Sequence, residues 1–144
     1  KHHICQKKYL SLSINNFELP CVNNIKILGF TLDNPVLCNV YINITASKLS
    51  SLVCLLKRLR PYLDIKMMCM FYNSYILPHI GYAINIWGQS AHTHIQKIQI
   101  LQNKAARIVL NATWDANGQN SLDKLGWMNI KQRIVGLYQI HMEF

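Results

Sequence analysis

From Met67 to Gln96 the chain carries no Lys, Arg, Asp or Glu, and that stretch limits what the rest can fold into. An uncharged run of this length must be buried in protein or in lipid. Asn73, Ser74, Pro78, His79, Gly81 and Asn85 are scattered through it, whereas a lipid-facing helix needs about twenty predominantly apolar residues. The segment therefore predicts a buried helical pair, bent or broken where the ring of Pro78 clashes with the preceding turn and Gly81 loosens the backbone.

The flanking segments supply what this pair packs against. Leu49, Leu52, Val53, Leu56 and Leu59 recur at three- and four-residue spacing, which predicts a helix from about Val40 that Pro61 stops. Asp64 is a suitable N-cap for the next helix, with Met68, Phe71, Tyr72, Tyr75 and Ile76 on one side. A third helix is expected from about Ser90 to Leu110, gathering Ile98, Leu101, Ala105, Ile108, Val109 and Ala112 on one face beside Lys97, Lys104 and Arg107. Asn117-Gly118 marks a turn, followed by short helices over Ser121 to Gly126 and Asn129 to Glu143.

Before Val40 the period changes. Leu10, Leu12 and Ile14 alternate with Tyr9, Ser11 and Ser13, as in a half-buried strand. Asn15-Asn16 and Asn23-Asn24 are turn signals that lead into Phe17 to Val22 and Ile25 to Leu32, with Pro20 confining the middle segment to an edge. The expected fold is α+β, mostly α: a short N-terminal antiparallel β meander followed by a bundle of about five helices. A chain of 144 residues can close one core of this kind.

Fifteen Lys and Arg against six Asp and Glu leave a net charge of +9, which self-repels unless a polyanion or an acidic surface compensates it. Nucleic acid is the default partner and acidic lipid the second. Cys5, Cys21, Cys38, Cys54 and Cys69 are odd in number and form no CxxC pair, the pattern of reduced thiols rather than a disulfide framework or zinc ribbon. His2, His3 and Cys5 lack a fourth ligand. No signal-peptide pattern follows Lys1, so an intracellular location, nuclear or cytoplasmic, is expected, and the start resembles a cut inside a longer chain.

Two-metal polymerases and nucleases require converging carboxylates. Glu18, Asp33, Asp64, Asp115, Asp123 and Glu143 are isolated, and no glycine-rich phosphate loop, HExxH or GxSxG occurs. No catalytic residue is assigned, and the chain by itself is expected to be inactive. Lys57, Arg58 and Arg60 at one helix end, and Lys97, Lys104 and Arg107 on another helix, are the candidate nucleic-acid contacts. They read equally well as solvated, dipole-favoured cations. Trp87, Trp114 and Trp127 serve either as core plugs, the commoner use, or as stacking platforms for bases.

Specific strings narrow these alternatives. Ile25-Lys26-Ile27-Leu28-Gly29-Phe30-Thr31-Leu32-Asp33 resembles the (K)xLGxxLD segment that follows the catalytic palm in non-LTR (LINE-type) retrotransposon reverse transcriptases. Leu55 to Leu63, Tyr72 to Tyr82, Trp87-Gly88, Lys97 to Ile108, and Leu122 to Arg133 with Leu125-Gly126-Trp127 inside it, resemble that family's successive later blocks, in order and over nearly the whole chain. The resemblance implies that residues 1–39 end the palm sheet and form a primer-grip-like hairpin at Leu28 and Gly29. It further implies a thumb-like bundle over 40–114 and C-terminal connection helices over 115–144. It implies a fragment of an RNA-directed DNA polymerase that grips an RNA/DNA primer-template duplex and docks on an upstream polymerase domain, with no membrane partner. No cofactor is expected in this chain, and Mg²⁺ only in the palm. Cys38 and Tyr41 stand where the family has a Trp and then a His. A stand-alone basic helical module for nucleic acid or a membrane surface is the alternative from a different class.

Overall fold

The structure, a computed structural model, describes residues 13–15, 17–18, 24–33 and 38–142. The strand positions expected before Ser13, Pro20, and the His2, His3 and Cys5 trio lie outside them. Two β-hairpins precede the helices. Strands β1 (Ser13–Ile14) and β2 (Phe17–Glu18) pair antiparallel around Asn15, whose φ of 51° is the left-handed conformation asparagine tolerates. Strands β3 (Asn24–Ile27) and β4 (Phe30–Asp33) pair with Ile27 opposite Phe30.

The fold is α+β and mostly α, as expected, with short antiparallel strands ahead of the helices; the three-stranded arrangement is corrected, because among the described residues there are two separate two-stranded sheets. The segment from Ile25 to Leu32 is not one strand. Leu28 (φ 49°) and Gly29 (φ 83°) both adopt positive φ, as a two-residue type I′ turn requires, and fold the segment back on itself. A bulky residue rarely takes that conformation, so apolar alternation concealed the turn.

The helices are α1 (Asn39–Leu59), α2 (Ile65–Phe71), α3 (Leu77–Gly81), α4 (Ile84–Trp87), α5 (His92–Leu110), α6 (Gly118–Leu125) and α7 (Ile130–Met142). Asp64 caps α2 by accepting from the Met67 amide at 2.8 Å. Between α2 and α3 the chain does not break. It widens into a π-helical turn over Tyr72–Ile76, where the Leu77 amide reaches back five residues to the Tyr72 carbonyl. Pro78 has no amide to donate, and the wider turn lets the helix continue past its ring. Tyr72, Ile76 and Ile80 consequently share one buried row.

The later helix ends are set by side chains and glycine. Asn117 accepts from the Gln119 and Asn120 amides and so starts α6 earlier than expected, at Gly118. A Cβ at Gly118 would lie 2.8 Å from that of Asn103, so the close approach of α5 and α6 needs glycine. Gly126, at φ 66°, ends α6 with the Trp127 amide bonded to the Leu122 carbonyl. Asn129 and Gln132 then form a reciprocal capping box for α7.

One hydrophobic core links these elements. It includes Phe30, Ile42, Leu49 and Leu56, the Tyr72–Ile80 row, Ile98, Ala105, Val109, Leu122, Trp127 and Ile130. Burying each large aliphatic side chain contributes roughly 1.5–3 kcal/mol relative to exposure. By length and composition α1 is apolar enough to cross a membrane, but Ile42, Leu49 and Leu56 are packed inside the protein. The β3–β4 hairpin joins the core through Phe30, whose ring lies 4.2 Å from that of Tyr41. Cys38 and Tyr41, which depart from the family pattern, are both buried, and the Tyr41 hydroxyl donates to the Tyr82 carbonyl at 3.0 Å. The Tyr82 hydroxyl in turn donates to the Leu28 carbonyl, fixing the hairpin tip.

Candidate nucleic-acid interface

Helices α1 and α5 lie side by side and run parallel. Near their starts Lys97 Nζ donates to Asn43 Oδ1 at 2.7 Å; near their ends Arg60 Nε donates to the Ile108 carbonyl at 3.1 Å. Parallel packing brings both negative dipole ends together, next to Lys57, Arg58, Arg60 and Arg107. Part of the basic cluster therefore offsets helix dipoles.

Between the helices, toward those ends, opens a groove of about 640 Å³. Val53, Leu101 and Ile108 contribute apolar surface, and Lys57, Lys104 and Arg107 line it together with Trp114. A shallower depression with Lys97 and Asn43 on its wall shares Ser50 and Leu101 with the groove and extends it along the helix pair. Of the six candidate cations, then, the fold brings Lys57, Lys104 and Arg107 together and sets Lys97 farther along the same seam. Arg58 is exposed on α1 and is not among the groove residues, and Arg60 is committed to the end of α5.

Arg107 has a second task. Its Nε donates to the Ala116 carbonyl at 2.8 Å, which ties the loop after α5 back onto that helix and uses one of the guanidinium's five donor hydrogens. Asn111 ends α5 in the left-handed conformation, and the Ala112 amide reaches the Arg107 carbonyl. Ala112, expected on the apolar face, thus lies past the helix end and is exposed. On the same loop Asp115 is fully exposed. The Thr113 hydroxyl, its own backbone amide and the nearby Arg107 charge hold its carboxyl below the usual carboxylate range.

Opposite the groove α5 presents a polar core. Gln102 is fully buried, and its Nε2 donates to the Tyr72 hydroxyl and to the Met128 carbonyl, both at 2.9 Å. Gln99 Nε2 donates to Gln102 Oε1, while Gln99 Oε1 accepts the Ile130 amide at 2.8 Å. Trp127 stacks on Tyr72 with ring centroids 3.5 Å apart. Trp87 is buried and donates to the Tyr82 carbonyl. Two of the three tryptophans are therefore core plugs, and Trp114 alone is exposed, at 89%. Nothing in sequence spacing distinguishes it from the other two; its position after the Asn111 cap does.

Three of the carboxylates have local roles: Asp64 caps α2, Asp115 is held by its own loop, and Asp123 accepts from Gln119 Nε2 at 2.8 Å. Among the described residues no group of three His, Cys, Asp or Glu is placed to hold a metal ion.

Comparison with known proteins gives this arrangement a context. The chain is 28% identical over 104 residues, 70% of its length, to a probable RNA-directed DNA polymerase from transposon X-element of Drosophila melanogaster. Over 126 residues, 81% of its length, it is 28% identical to the RNA-directed DNA polymerase from mobile element jockey of the same organism. The chain is thus similar in sequence to RNA-directed DNA polymerases of non-LTR retrotransposons. The jockey polymerase of Drosophila funebris is 27% identical over 106 residues. In each case the match covers only 12–14% of the retrotransposon polymerase, so the chain corresponds to a small segment of one. No protein-family model matches the chain, and no solved structure does.

Proposed function

We propose that this chain is the part of a retrotransposon reverse transcriptase that follows the catalytic palm, and that it holds the primer-template duplex by its phosphates. The convergence of Lys57, Lys104 and Arg107 on the groove between α1 and α5 carries this reading. Three cations from two helices along one channel suit a phosphate backbone, and such contacts position a duplex without reading its sequence. The β3–β4 hairpin, with exposed Leu28 at its tip and Tyr82 clamped behind it, takes the primer-grip-like role beside the primer end. Chemistry belongs to the rest of the polymerase, where paired carboxylates would hold two Mg²⁺ ions.

The experiment that tests this reading compares polyanions at equal salt. Fluorescence anisotropy of a labelled primer-template duplex is measured against the chain, alongside flotation with vesicles rich in phosphatidylserine. Duplex binding that exceeds vesicle binding is expected. Vesicle binding that is tighter than duplex binding would transfer the basic groove to a membrane surface.

A further inference from the structure

The loop from Asn111 to Asn117 holds Trp114 outside the core. We propose that Trp114 is a stacking platform for an unpaired base, so that the groove takes nucleic acid at a junction between duplex and single strand. This rests on the phosphate-grip reading above and adds to it a second kind of contact.

Two observations carry it. First, the exposure of Trp114 is built in rather than the result of a slack loop: Arg107 ties down Ala116, Asn111 turns the chain, the Ala116 amide donates to the Thr113 carbonyl, and Asn117 caps α6. An indole held in water by a braced loop is poised for a partner. Second, Trp114 borders the same groove as Lys57, Lys104 and Arg107, and a cationic track beside an aromatic face is the combination that binds unpaired strands, since every base has a π-face.

The test uses the full chain, a blunt duplex, and the same duplex with a single-stranded thymidine overhang. The wild type should bind the overhang form more tightly, with quenching of tryptophan fluorescence. Trp114→Ala should lose the overhang preference by on the order of 5- to 150-fold, the range of base–aromatic stacking, with a smaller loss on the blunt duplex. Trp114→Phe should retain most of the preference, and unchanged circular dichroism would show that both variants fold. Cys54, exposed on the groove wall, gives an independent position readout: the overhang duplex should protect it from N-ethylmaleimide.

An overhang preference that survives Trp114→Ala, or an equal loss on both probes, overturns the platform while leaving the phosphate grip intact. Salt-independent binding of both probes overturns the grip itself and the platform with it. Protection of Cys54 by polyglutamate at equal charge concentration would show that the groove takes an acidic polypeptide instead.

Discussion

The side-chain amide of Gln102 donates to the hydroxyl of Tyr72 across 2.9 Å in the interior, joining α5 to the π-helical turn before Pro78. Trp127 covers the same tyrosine ring, and the second Gln102 hydrogen bond reaches the Met128 carbonyl. Three segments distant in sequence thus meet at one satisfied polar contact, on the opposite side of α5 from the basic groove.

Replacing Gln102 with Leu should destabilise the chain by about 2–6 kcal/mol, because the Met128 carbonyl and Tyr72 hydroxyl lose a buried donor at roughly 1–3 kcal/mol each. Trp127→Ala should cost about 3–5 kcal/mol through the cavity it leaves. Urea unfolding of each variant measures both values. A Gln102→Leu variant as stable as wild type would show that the contact only fills space.

Burial raises the Tyr72 phenol above its usual value, opposed in smaller measure by the Gln102 hydrogen bond and the Arg133 charge. A raised folded-state value means that this contribution to stability is fully present below about pH 10, the unfolded value, and is lost as pH rises through the folded one. Tyr72→Phe should therefore show a shallower loss of stability than wild type above about pH 10. Equal slopes in alkaline denaturant titrations would contradict it.

Leu28 sits at positive φ, which costs roughly 1–2 kcal/mol for an L-residue other than glycine or asparagine. Leu28→Asn should relieve this strain and tighten the β3–β4 hairpin. Tyr82→Phe should loosen it by removing the donor to the Leu28 carbonyl. Hydrogen exchange at the paired amides of Ile27 and Phe30, which flank the turn, reads both effects, which should have opposite signs. The same sign for both variants would remove Tyr82 from the role of clamp.

Much of the helical layout was legible because it depends on local chemistry. Pro61 follows the end of α1, Asp64 starts α2, and Gly126 ends α6, each by a rule that spans a few residues. The order and spacing of strings such as Leu125-Gly126-Trp127 carried the resemblance to retrotransposon polymerases, which the sequence comparisons also find. Gln102 escaped because periodicity counts polar residues as outward-facing, and only the tertiary arrangement shows its partners. Leu28 escaped because its side chain reads as strand. The pairing of Lys57 with Lys104 depends on α1 and α5 packing in parallel, and no local pattern encodes a neighbour so far along the chain.

The central claim is that the α1–α5 groove neutralises phosphates, and the salt dependence of duplex binding tests it most directly. Log affinity falls against log salt by about 0.9 for each B-DNA phosphate neutralised. Lys57→Gln with Lys104→Gln leaves the loop brace of Arg107 in place and should flatten the slope by roughly 2 units. Lys66→Gln with Lys124→Gln removes the same charge from exposed positions outside the groove and should leave the slope near that of wild type. If both double variants change the slope equally, or neither changes it, the groove is not where this chain holds a duplex.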